Sequence, residues 1–245
     1  MAYGEFAYFY DEFNDDANYD ALFHHVLRNL QKYGVQEGIV ADLGCGTGDL
    51  SLRLSAAGYD MICVDLSEDM LSVLREKAED AGIESLLLLQ QDLTKLDLFG
   101  TVKGMVSTFD TFNHLGDFAV FKKALARAAL FIESGGVFIF DVNTPYKHEQ
   151  ILANNTFVLQ AEDARCVWNN RYESALSRTH ITITITYTGE KNAITESFYE
   201  YYFSIEQLKE ACEAAQLEIV EICDGESFTD LHEDTQRYLI CARKR

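Results

Sequence analysis

The sequence predicts an α/β protein with a Rossmann-like, doubly wound, mostly parallel seven-stranded sheet and an inserted antiparallel β-sheet subdomain. Three observations lead to this fold class. Short apolar runs alternate with segments of helical periodicity through the first 149 residues, which is typical of a parallel sheet with helices on both faces. A glycine-rich turn follows the first apolar run. After Pro145 the pattern changes to strict two-residue alternation, which indicates antiparallel strands with one buried face.

The first half alternates predicted strands and helices. Gly34, Gly58 and Gly82 each follow a segment of helical periodicity, and Ser67 is a favoured residue for the start of a helix. The glycine pair at 135–136 is predicted to turn the last helix into a strand. In chain order the predicted elements are helix 19–33, strand 38–43, helix 49–57, strand 59–64, helix 67–81, strands 85–89 and 104–108, helix 118–132 and strand 137–142.

The second half alternates with a period of two. In residues 179–187 the isoleucines fall on one face and the threonines on the other. Strands are predicted in 158–172, 179–187, 193–203, 217–223 and 238–242, with a turn at 189–192 and a helix from Ser204 to about residue 215. The predicted domains are therefore a parallel-sheet domain of residues 1–149 and 204–245, and an antiparallel insertion of residues 150–203.

Composition excludes several classes of function. Asp and Glu number 40 and Lys and Arg number 20, so the formal net charge is −20. A field of that sign repels phosphate backbones and anionic membrane surfaces, which makes nucleic acid an unlikely partner. No apolar run is long enough to span a membrane, and the six scattered cysteines form no C-x-x-C pair. We expect a cytoplasmic monomer or homodimer without a metal site.

The glycine-rich turn carries the strongest indication of ligand binding. Gly44, Gly46 and Gly48 let a ligand approach the backbone at the start of a helix. Asp49 occupies the place where the dinucleotide fingerprint G-x-G-x-x-G requires its third glycine. Asp42, which opens the turn, would repel a pyrophosphate but suits a cation.

Two more acids follow the next strands. Asp65 comes about 20 residues after the glycines, where such folds bind ribose hydroxyls, and Asp92 follows the third strand. For Asp65 the alternative is a helix N-cap, and for Asp92 a solvated loop acid. Together with Asp42 they suit a ligand that has an adenosine and a positive charge. S-adenosylmethionine (SAM) has both, and carries no phosphate.

Five segments of the chain resemble the motifs of class I SAM-dependent methyltransferases. The run 41–48 resembles motif I, 64–71 motif II, and 91–93 motif III. Residues 109–115 resemble the post-strand-four motif of small-molecule methyltransferases, and 6–11 with Tyr19 resemble their N-terminal lid helix. The likeness covers nearly the whole chain, and the insertion resembles that of an uncharacterised bacterial subgroup in which it follows strand five and lies over the active site.

The resemblance implies contacts with the cofactor. Asp42 and the two glycines that follow it are implied to hold the methionyl amino group, and Asp65 to bind both ribose hydroxyls. Met70 or Leu66 is implied to pack on the adenine face, and Asp92 to accept from the adenine amine with the Leu93 backbone beside it. Phe109 and Asp110 are implied to border the methionyl end, and two tyrosines to close over it. The implied set is Tyr10, Tyr19, Asp42, Gly44, Cys45, Gly46, Asp65, Leu66, Met70, Asp92, Leu93, Phe109 and Asp110.

Residues for the acceptor are less well defined. His114 follows the fourth strand, where a neutral imidazole could take a proton from an amine or hydroxyl; the alternative is a structural histidine. Trp168, Arg171 and Tyr172 of the insertion are candidate acceptor contacts, with the guanidinium suited to an acidic group. The histidines at 24 and 25 are expected on a solvated helix face. The Asn/Asp-Pro-Pro-aromatic run of enzymes that methylate bases or amides is absent.

The sequence thus predicts an enzyme that transfers a methyl group from SAM to an N or O atom of a small-molecule acceptor and releases S-adenosylhomocysteine (SAH). A nicotinamide-dependent dehydrogenase is disfavoured by the acids at 42 and 49. A SAM-binding regulatory or scaffold protein without turnover remains an alternative. So does a methyltransferase that acts on a protein or RNA, although the negative charge disfavours RNA.

Overall fold

Eleven strands and six α-helices are present in the part of the chain that the computed structural model describes, residues 5–13, 18–189 and 192–245. Residues 190 and 191 of the predicted turn at 189–192 lie outside it. The helices are α1 (Tyr10–Phe13), α2 (Tyr19–Lys32), α3 (Asp49–Ala56), α4 (Glu68–Asp80), α5 (Phe118–Ala129) and α6 (Ile205–Ala214). The strands are β1 (Gly38–Leu43), β2 (Tyr59–Asp65), β3 (Leu86–Gln90), β4 (Val102–Ser107), β5 (Ile132–Asn143), β6 (Thr156–Gln160), β7 (Ala164–Glu173), β8 (Arg178–Tyr187), β9 (Ala193–Tyr201), β10 (Leu217–Asp224) and β11 (Arg237–Lys244).

Seven strands form one mostly parallel sheet in the order β10-β11-β5-β4-β1-β2-β3. Strands β1 to β5 run parallel, and β11 is antiparallel to both β5 and β10. The predicted fold class is confirmed. Chain order reverses between β1 and β4, and ligands of such sheets bind at this switch point, beyond the carboxyl ends of the strands.

Helices cover both faces of this sheet. Apolar residues of α2, α3 and α4, including Leu30, Leu54 and Leu74, pack on one face. Phe121 of α5 and Leu208 of α6 are in the cluster on the other face. This is the doubly wound arrangement that the alternating pattern predicts. Among the described residues, no helix is both long enough and apolar enough to cross a membrane.

Two details differ from the sequence analysis. The glycine pair at 135–136 lies inside β5 rather than between helix and strand. Gly136 is needed there for close packing of the strands, since an added Cβ would lie 2.8 Å from the Lys103 carbonyl oxygen of the adjacent strand. His24 is exposed as expected, but the expectation for His25 is wrong. His25 is buried, and its ring stacks on Phe228 at 5.0 Å.

The remaining four strands form an antiparallel sheet in the order β6-β7-β8-β9. Its buried face carries the alternating isoleucines of β8, which cluster with Phe6 of the N-terminal segment, residues 5–13. Asp11 of this segment accepts a hydrogen bond from Thr47 Oγ1 at 2.6 Å and one from Lys77 Nζ at 2.9 Å. The N-terminal segment therefore bridges the antiparallel sheet and the glycine-rich turn.

Candidate active site

The glycine-rich turn leaves β1 with three glycines of positive φ. Gly44, Gly46 and Gly48 have φ of 72°, 53° and 82°. A Cβ on Gly44 would lie 2.2 Å from Thr111 Cγ2, and a Cβ on Gly48 would lie 2.0 Å from Leu74 Cδ1. Around Gly46, in contrast, a Cβ meets nothing within 4 Å. The outer two glycines therefore allow close packing, and the middle one faces open space.

Replacement of Gly48 by alanine tests this packing. We expect a loss of roughly 2–5 kcal/mol in the free energy of unfolding, from a left-handed alanine and an overpacked Leu74. The matched control is Gly82→Ala, because Gly82 also has positive φ but has open space around it. We expect that control to lose only about 1–2 kcal/mol. Urea unfolding measures both values, and equal losses would contradict the packing argument.

A cleft of about 430 Å³ opens at the carboxyl ends of β1, β2 and β4. Its lining contains twelve of the thirteen residues expected at the cofactor, and His114 as well. The thirteenth, Asp110, lines a neighbouring cavity. From the expected set the cleft is lined by Tyr10, Tyr19, Asp42, Gly44, Cys45, Gly46, Asp65, Leu66, Met70, Asp92, Leu93 and Phe109. We call this space the main cleft.

The acids of the main cleft have different partners. Asp42 is buried and accepts a 2.6 Å hydrogen bond from Ser51 Oγ, and burial raises its pKa to about 7. Asp65 accepts from the backbone N–H of Gly46 at 2.9 Å and of Ser67 at 2.8 Å. Burial raises the pKa of Asp65, and these backbone donors oppose the rise. Both acids are thus fixed in place by hydrogen bonds before any ligand arrives.

Asp92 and Ser67 each cap a helix and also line the main cleft. Asp92 caps a short 3-10 helix by accepting from Thr94 N at 2.8 Å, and it also borders the cleft. Burial acts to raise its pKa, but the hydrogen bonds from Thr94 bring the pKa below its usual value. Ser67 is the N-cap of α4, so Asp65 is not needed for that function.

A second cavity, of about 130 Å³, adjoins the main cleft. Tyr10 and Phe109 line both spaces and so form the boundary between them. Burial raises the pKa of the Tyr10 hydroxyl, which keeps it protonated. The lining of this smaller cavity is Phe6, Tyr10, Phe109, Asp110, Asn143, Lys147, Leu152, Trp168, Glu200 and Arg237.

A strained turn after β4 directs Asp110 into the smaller cavity. Phe109 and Asp110 have φ of 55° and 56°, a left-handed conformation that is costly for residues with a side chain. Their N–H groups donate to the two carboxylate oxygens of buried Asp141 at 2.8 and 2.6 Å. Asp141 therefore stabilises the turn that places Phe109 between the two spaces and Asp110 in the lining of the smaller cavity.

Polar side chains meet where the two spaces adjoin. Asn143 Nδ2 donates to Asp110 Oδ2 at 2.7 Å and to Glu200 Oε2 at 3.1 Å. His114 Nε2 lies 3.9 Å from Asp110 Oδ2 and 3.8 Å from Glu200 Oε1. Burial and the neighbouring Asp110 raise the pKa of Glu200. Burial also acts to raise the pKa of Asp110, but Arg237 and His114 hold it below its usual value.

Among the described residues, two groups of side chains have the donor atoms to hold a cation. Asp110, His114 and Glu200 present ligand atoms within 4.8 Å of one another at the boundary of the cavities. His25, Glu221 and Cys223 form the other group, beneath α2. In that group Arg28 approaches Nδ1 of the histidine and Asn29 its Nε2, so both ring nitrogens already have hydrogen-bond partners.

The three acceptor contacts expected from the sequence occupy different places. Trp168 lines the smaller cavity. Arg171 lies on the other face of β7, where its exposed guanidinium pairs with Glu173 at 2.7 Å. Tyr172 hydrogen-bonds to Tyr202 and Glu149, and neither it nor Arg171 lines either space. Their positions do not support the expectation that Arg171 and Tyr172 contact an acceptor.

Several residues of the site were not expected from the sequence. Asp141 is an acid inside the apolar run of β5, a signal that the sequence-based prediction did not use. Asn143 ends the same strand and Lys147 comes after it. Glu200 sits in an alternating strand that otherwise signals packing, and no local pattern distinguishes Arg237.

Comparison with known proteins agrees with this geometry. A family model described as "Methyltransferase domain" matches residues 40–136. The chain is 29% identical, with 100% of both chains covered, to a protein of Geobacillus sp. (strain WCH70) that carries the name "Putative methyltransferase". An S-adenosylmethionine-dependent methyltransferase from Clostridium acetobutylicum ATCC 824 has a crystal structure that matches with TM-score 0.88 at 25% identity, covering 100% of this chain and 99% of that one.

A more distant structure shares the fold. The sugar N-methyltransferase KedS8 from Streptoalloteichus sp. ATCC 53650 matches with TM-score 0.75 at 18% identity, covering 96% of this chain and 93% of that one. The sheet order, the glycine-rich turn and the full-length relatives lead to one assignment. The chain carries a methyltransferase domain and has the fold of the class I SAM-dependent methyltransferases.

Proposed function

We propose that the enzyme binds SAM in the main cleft and methylates an amino nitrogen of a small molecule held in the smaller cavity. The observation that carries this proposal is the polar group at the boundary, where Asp110, Glu200 and His114 converge. A buried and a half-buried carboxylate beside an imidazole favour a cationic group such as an ammonium. The structure of a sugar N-methyltransferase with the same fold is compatible with an amine acceptor.

The residues of the main cleft fit SAM. A volume of about 430 Å³ is within the range of small-molecule sites, roughly 300–1,000 Å³. Gly46 leaves open space where a side chain would obstruct the ligand. Asp42 can accept from the methionyl ammonium. Each oxygen of the Asp65 carboxylate has a second lone pair for a ribose hydroxyl after its bond from a backbone N–H.

When bound, SAM supplies a methyl group on a sulfonium sulfur. The sulfur keeps the bonding electron pair and leaves as the thioether of SAH when a nucleophile attacks the methyl carbon. A bound ammonium must lose a proton before its nitrogen can attack the methyl carbon, so the chain must orient the acceptor, exclude water and hold a base for that proton. His114 lines the main cleft and approaches both carboxylates of the boundary, so its neutral ring can take the proton from the acceptor nitrogen. Tyr10 and Phe109 separate the two spaces and restrict water there.

Other parts of the proposal follow from composition. The net charge of −20 disfavours RNA as the acceptor. The six cysteines are free thiols and five of them are buried, which favours a reducing compartment such as the cytoplasm. The proposal leaves a monomer and a homodimer equally open.

The first experiment is a calorimetric titration with SAM and SAH, with NAD⁺ as the control. Binding of SAM and SAH but not NAD⁺ supports the cofactor assignment, and binding of NAD⁺ alone contradicts it. A screen of small amines and matched alcohols, read as SAH release, then tests transfer. Turnover of alcohols only would overturn the choice of nitrogen, and SAM binding without turnover on either set would favour the scaffold alternative.

The pKa of Asp42 predicts how SAM binding depends on pH. Burial raises this pKa to about 7, and an ammonium beside the carboxyl stabilises its ionised form. Below that pH the carboxyl must lose a proton when SAM binds, so affinity should rise with pH, by up to about ten-fold per unit, and level off above it. Titrations of wild type and Asp42→Asn between about pH 5.5 and 7.5 test this. The variant should show no slope, and a flat wild-type profile would contradict the contact.

A further inference from the structure

Arg237 is a largely buried cation with unused hydrogen-bond donors in the smaller cavity. Its Nη1 lies 3.7 Å from Asp141 Oδ2 and its Nη2 lies 3.9 Å from Asp110 Oδ1, both beyond hydrogen-bond distance. Its Nε is buried and has no hydrogen-bond partner among the described residues. Buried polar groups are normally hydrogen-bonded, so a guanidinium in this state is suited to receive a ligand.

Lys147 adds a second cation to the same lining. Its Nζ donates to Asn143 Oδ1 at 3.0 Å, which leaves two of its three donor positions for other partners. The residue begins a one-turn π-helix, Lys147–Leu152, an irregularity that often occurs at functional sites. Burial and the proximity of Arg237 lower the pKa of Lys147, because two cations share one small space.

The carboxylates of the cavity are concentrated on the side of the main cleft. Glu200 and Asp110 both approach His114, which lines that cleft. A ligand in the smaller cavity thus meets acceptor oxygens near the methyl donor, and donor nitrogens from Arg237 and Lys147. The cavity of about 130 Å³ has room for about four waters at roughly 30 Å³ each, enough for a compact head group.

We infer that the acceptor carries an oxyanion, a carboxylate or a phosphonate-type group, a few bonds from its amine, and that Arg237 and Lys147 bind this oxyanion. The inference rests on the proposed function, because the amine is placed beside Asp110 and Glu200. A guanidinium binds planar oxyanions through paired N–H donors, which fixes the orientation of the head group as well as its affinity. Trp168 and Leu152 cover the remaining lining with apolar surface.

Three probes of similar size test the inference on SAH-saturated enzyme. β-Alanine and 2-aminoethylphosphonate carry an amine and an oxyanion, and n-propylamine carries the amine alone. Calorimetry should show at least ten-fold tighter binding of one or both oxyanion probes than of n-propylamine. The phosphonate arm distinguishes a phosphate-like group from a carboxylate.

Variants assign the effect to residues. Arg237→Gln should reduce binding of the oxyanion probes to the level of n-propylamine, and Lys147→Met should weaken it by a smaller factor. The control is Arg243→Gln, an exposed arginine on the same strand, β11, that lines neither space. Circular dichroism verifies folding. If Arg237→Gln does not fold, Lys147→Met must still prefer the oxyanion probes over n-propylamine by a smaller factor than wild type does.

Each outcome decides the inference separately from the proposed function. Equal binding of all three probes by wild type, or no binding of the oxyanion probes, would overturn it. Methylation of n-propylamine as fast as β-alanine would overturn it too, while the proposed amine transfer would stand. Failure of SAM to bind, measured independently, would instead remove the proposed function. A preference that survives in both variants would mean that Arg237 and Lys147 are structural charges only.

Discussion

Replacement of His114 by alanine is expected to lower kcat for an amine acceptor by about 10²–10⁴-fold, the usual contribution of a positioned general base. The affinity for SAM should change little, because the expected SAM contacts are at the glycine-rich turn, Asp65 and Asp92. We expect kcat to fall while SAM affinity stays nearly unchanged because of where His114 lies. His114 lies where the main cleft meets the smaller cavity, with its Nε2 3.8 Å from Glu200 Oε1 and 3.9 Å from Asp110 Oδ2.

The carboxylates explain why this histidine can act as a base. When His114 takes a proton, the resulting imidazolium faces Asp110, whose pKa Arg237 holds below its usual value despite burial. Burial raises the pKa of Glu200, whose Oε1 lies 3.8 Å from the ring nitrogen of His114. Glu200→Gln removes this titratable group and keeps the shape of the side chain. We expect it to shift the pH profile of kcat and to raise KM for an amine acceptor, because one of the two carboxylates beside the amine is lost.

A structural role for His114 would give a different pattern. The ring packs on Phe198 at 5.1 Å between centroids, so the alanine variant also removes a packing contact. Added imidazole should restore part of the turnover of His114→Ala if a base is missing, and should do nothing if packing is the cause. The control is His24→Ala, an exposed histidine on α2. Normal turnover in a folded His114→Ala enzyme would exclude catalysis by this residue.

Local sequence signals were sufficient for the parallel sheet, and together with the family resemblance they gave about half of the lining of the main cleft. Asp42 and Asp65 lie at the carboxyl ends of β1 and β2, the glycines and Asp92 come after β1 and β3, and parallel strands bring their carboxyl ends to one edge. Strand and turn are adjacent in the chain, so a pattern of a few residues determines both. For this reason twelve of the thirteen residues expected at the cofactor line a single cleft.

The smaller cavity could not be predicted in the same way. Its charged residues come from the end of β4, the segment after β5, strand β9 and the start of β11, so long-range packing brings them together. Asp110 was expected at the methionyl end, but the left-handed turn held by Asp141 directs it to the smaller cavity. No residue pattern in 109–110 signals that conformation, because neither residue is glycine.

The acceptor contacts on β7 show a second limit. Alternation fixes which residues share a face, but only the pairing with β8 and the packing on Phe6 decide which face is buried. Trp168 is on the covered face and its ring lies 6.2 Å from that of Phe6. Arg171 has the opposite parity and points away. Trp168 and Arg171 therefore lie on opposite faces of β7, and of the two only Trp168 lines the smaller cavity.

Asp65→Ala is expected to weaken SAM binding by about 1–3 kcal/mol, the cost of losing charge-assisted hydrogen bonds. At about 1.4 kcal/mol per factor of ten, this is roughly a 5- to 150-fold increase in Kd. The carboxylate also links two backbone segments, through Gly46 N at 2.9 Å and Ser67 N at 2.8 Å. A loss of affinity alone would therefore not separate a ribose contact from a disturbed turn. Asp60→Ala, an exposed acid on the same strand, controls for the general loss of charge.

The ribose contact has a distinct signature in a double-mutant cycle that pairs the protein variant with a ligand variant. If Asp65 binds the ribose hydroxyls, wild-type enzyme should lose affinity for 2′-deoxy-SAH relative to SAH, and Asp65→Ala should bind the two ligands almost equally. A coupling above about 0.5 kcal/mol between the two changes is the expected result, because contacting groups are not additive. If the variant only disturbs the turn, both losses appear in full and add. Additive losses would mean that removing the 2′-hydroxyl lowers affinity equally in wild type and in Asp65→Ala. Asp65 would then only stabilise the backbone of the turn, and another residue would bind the ribose.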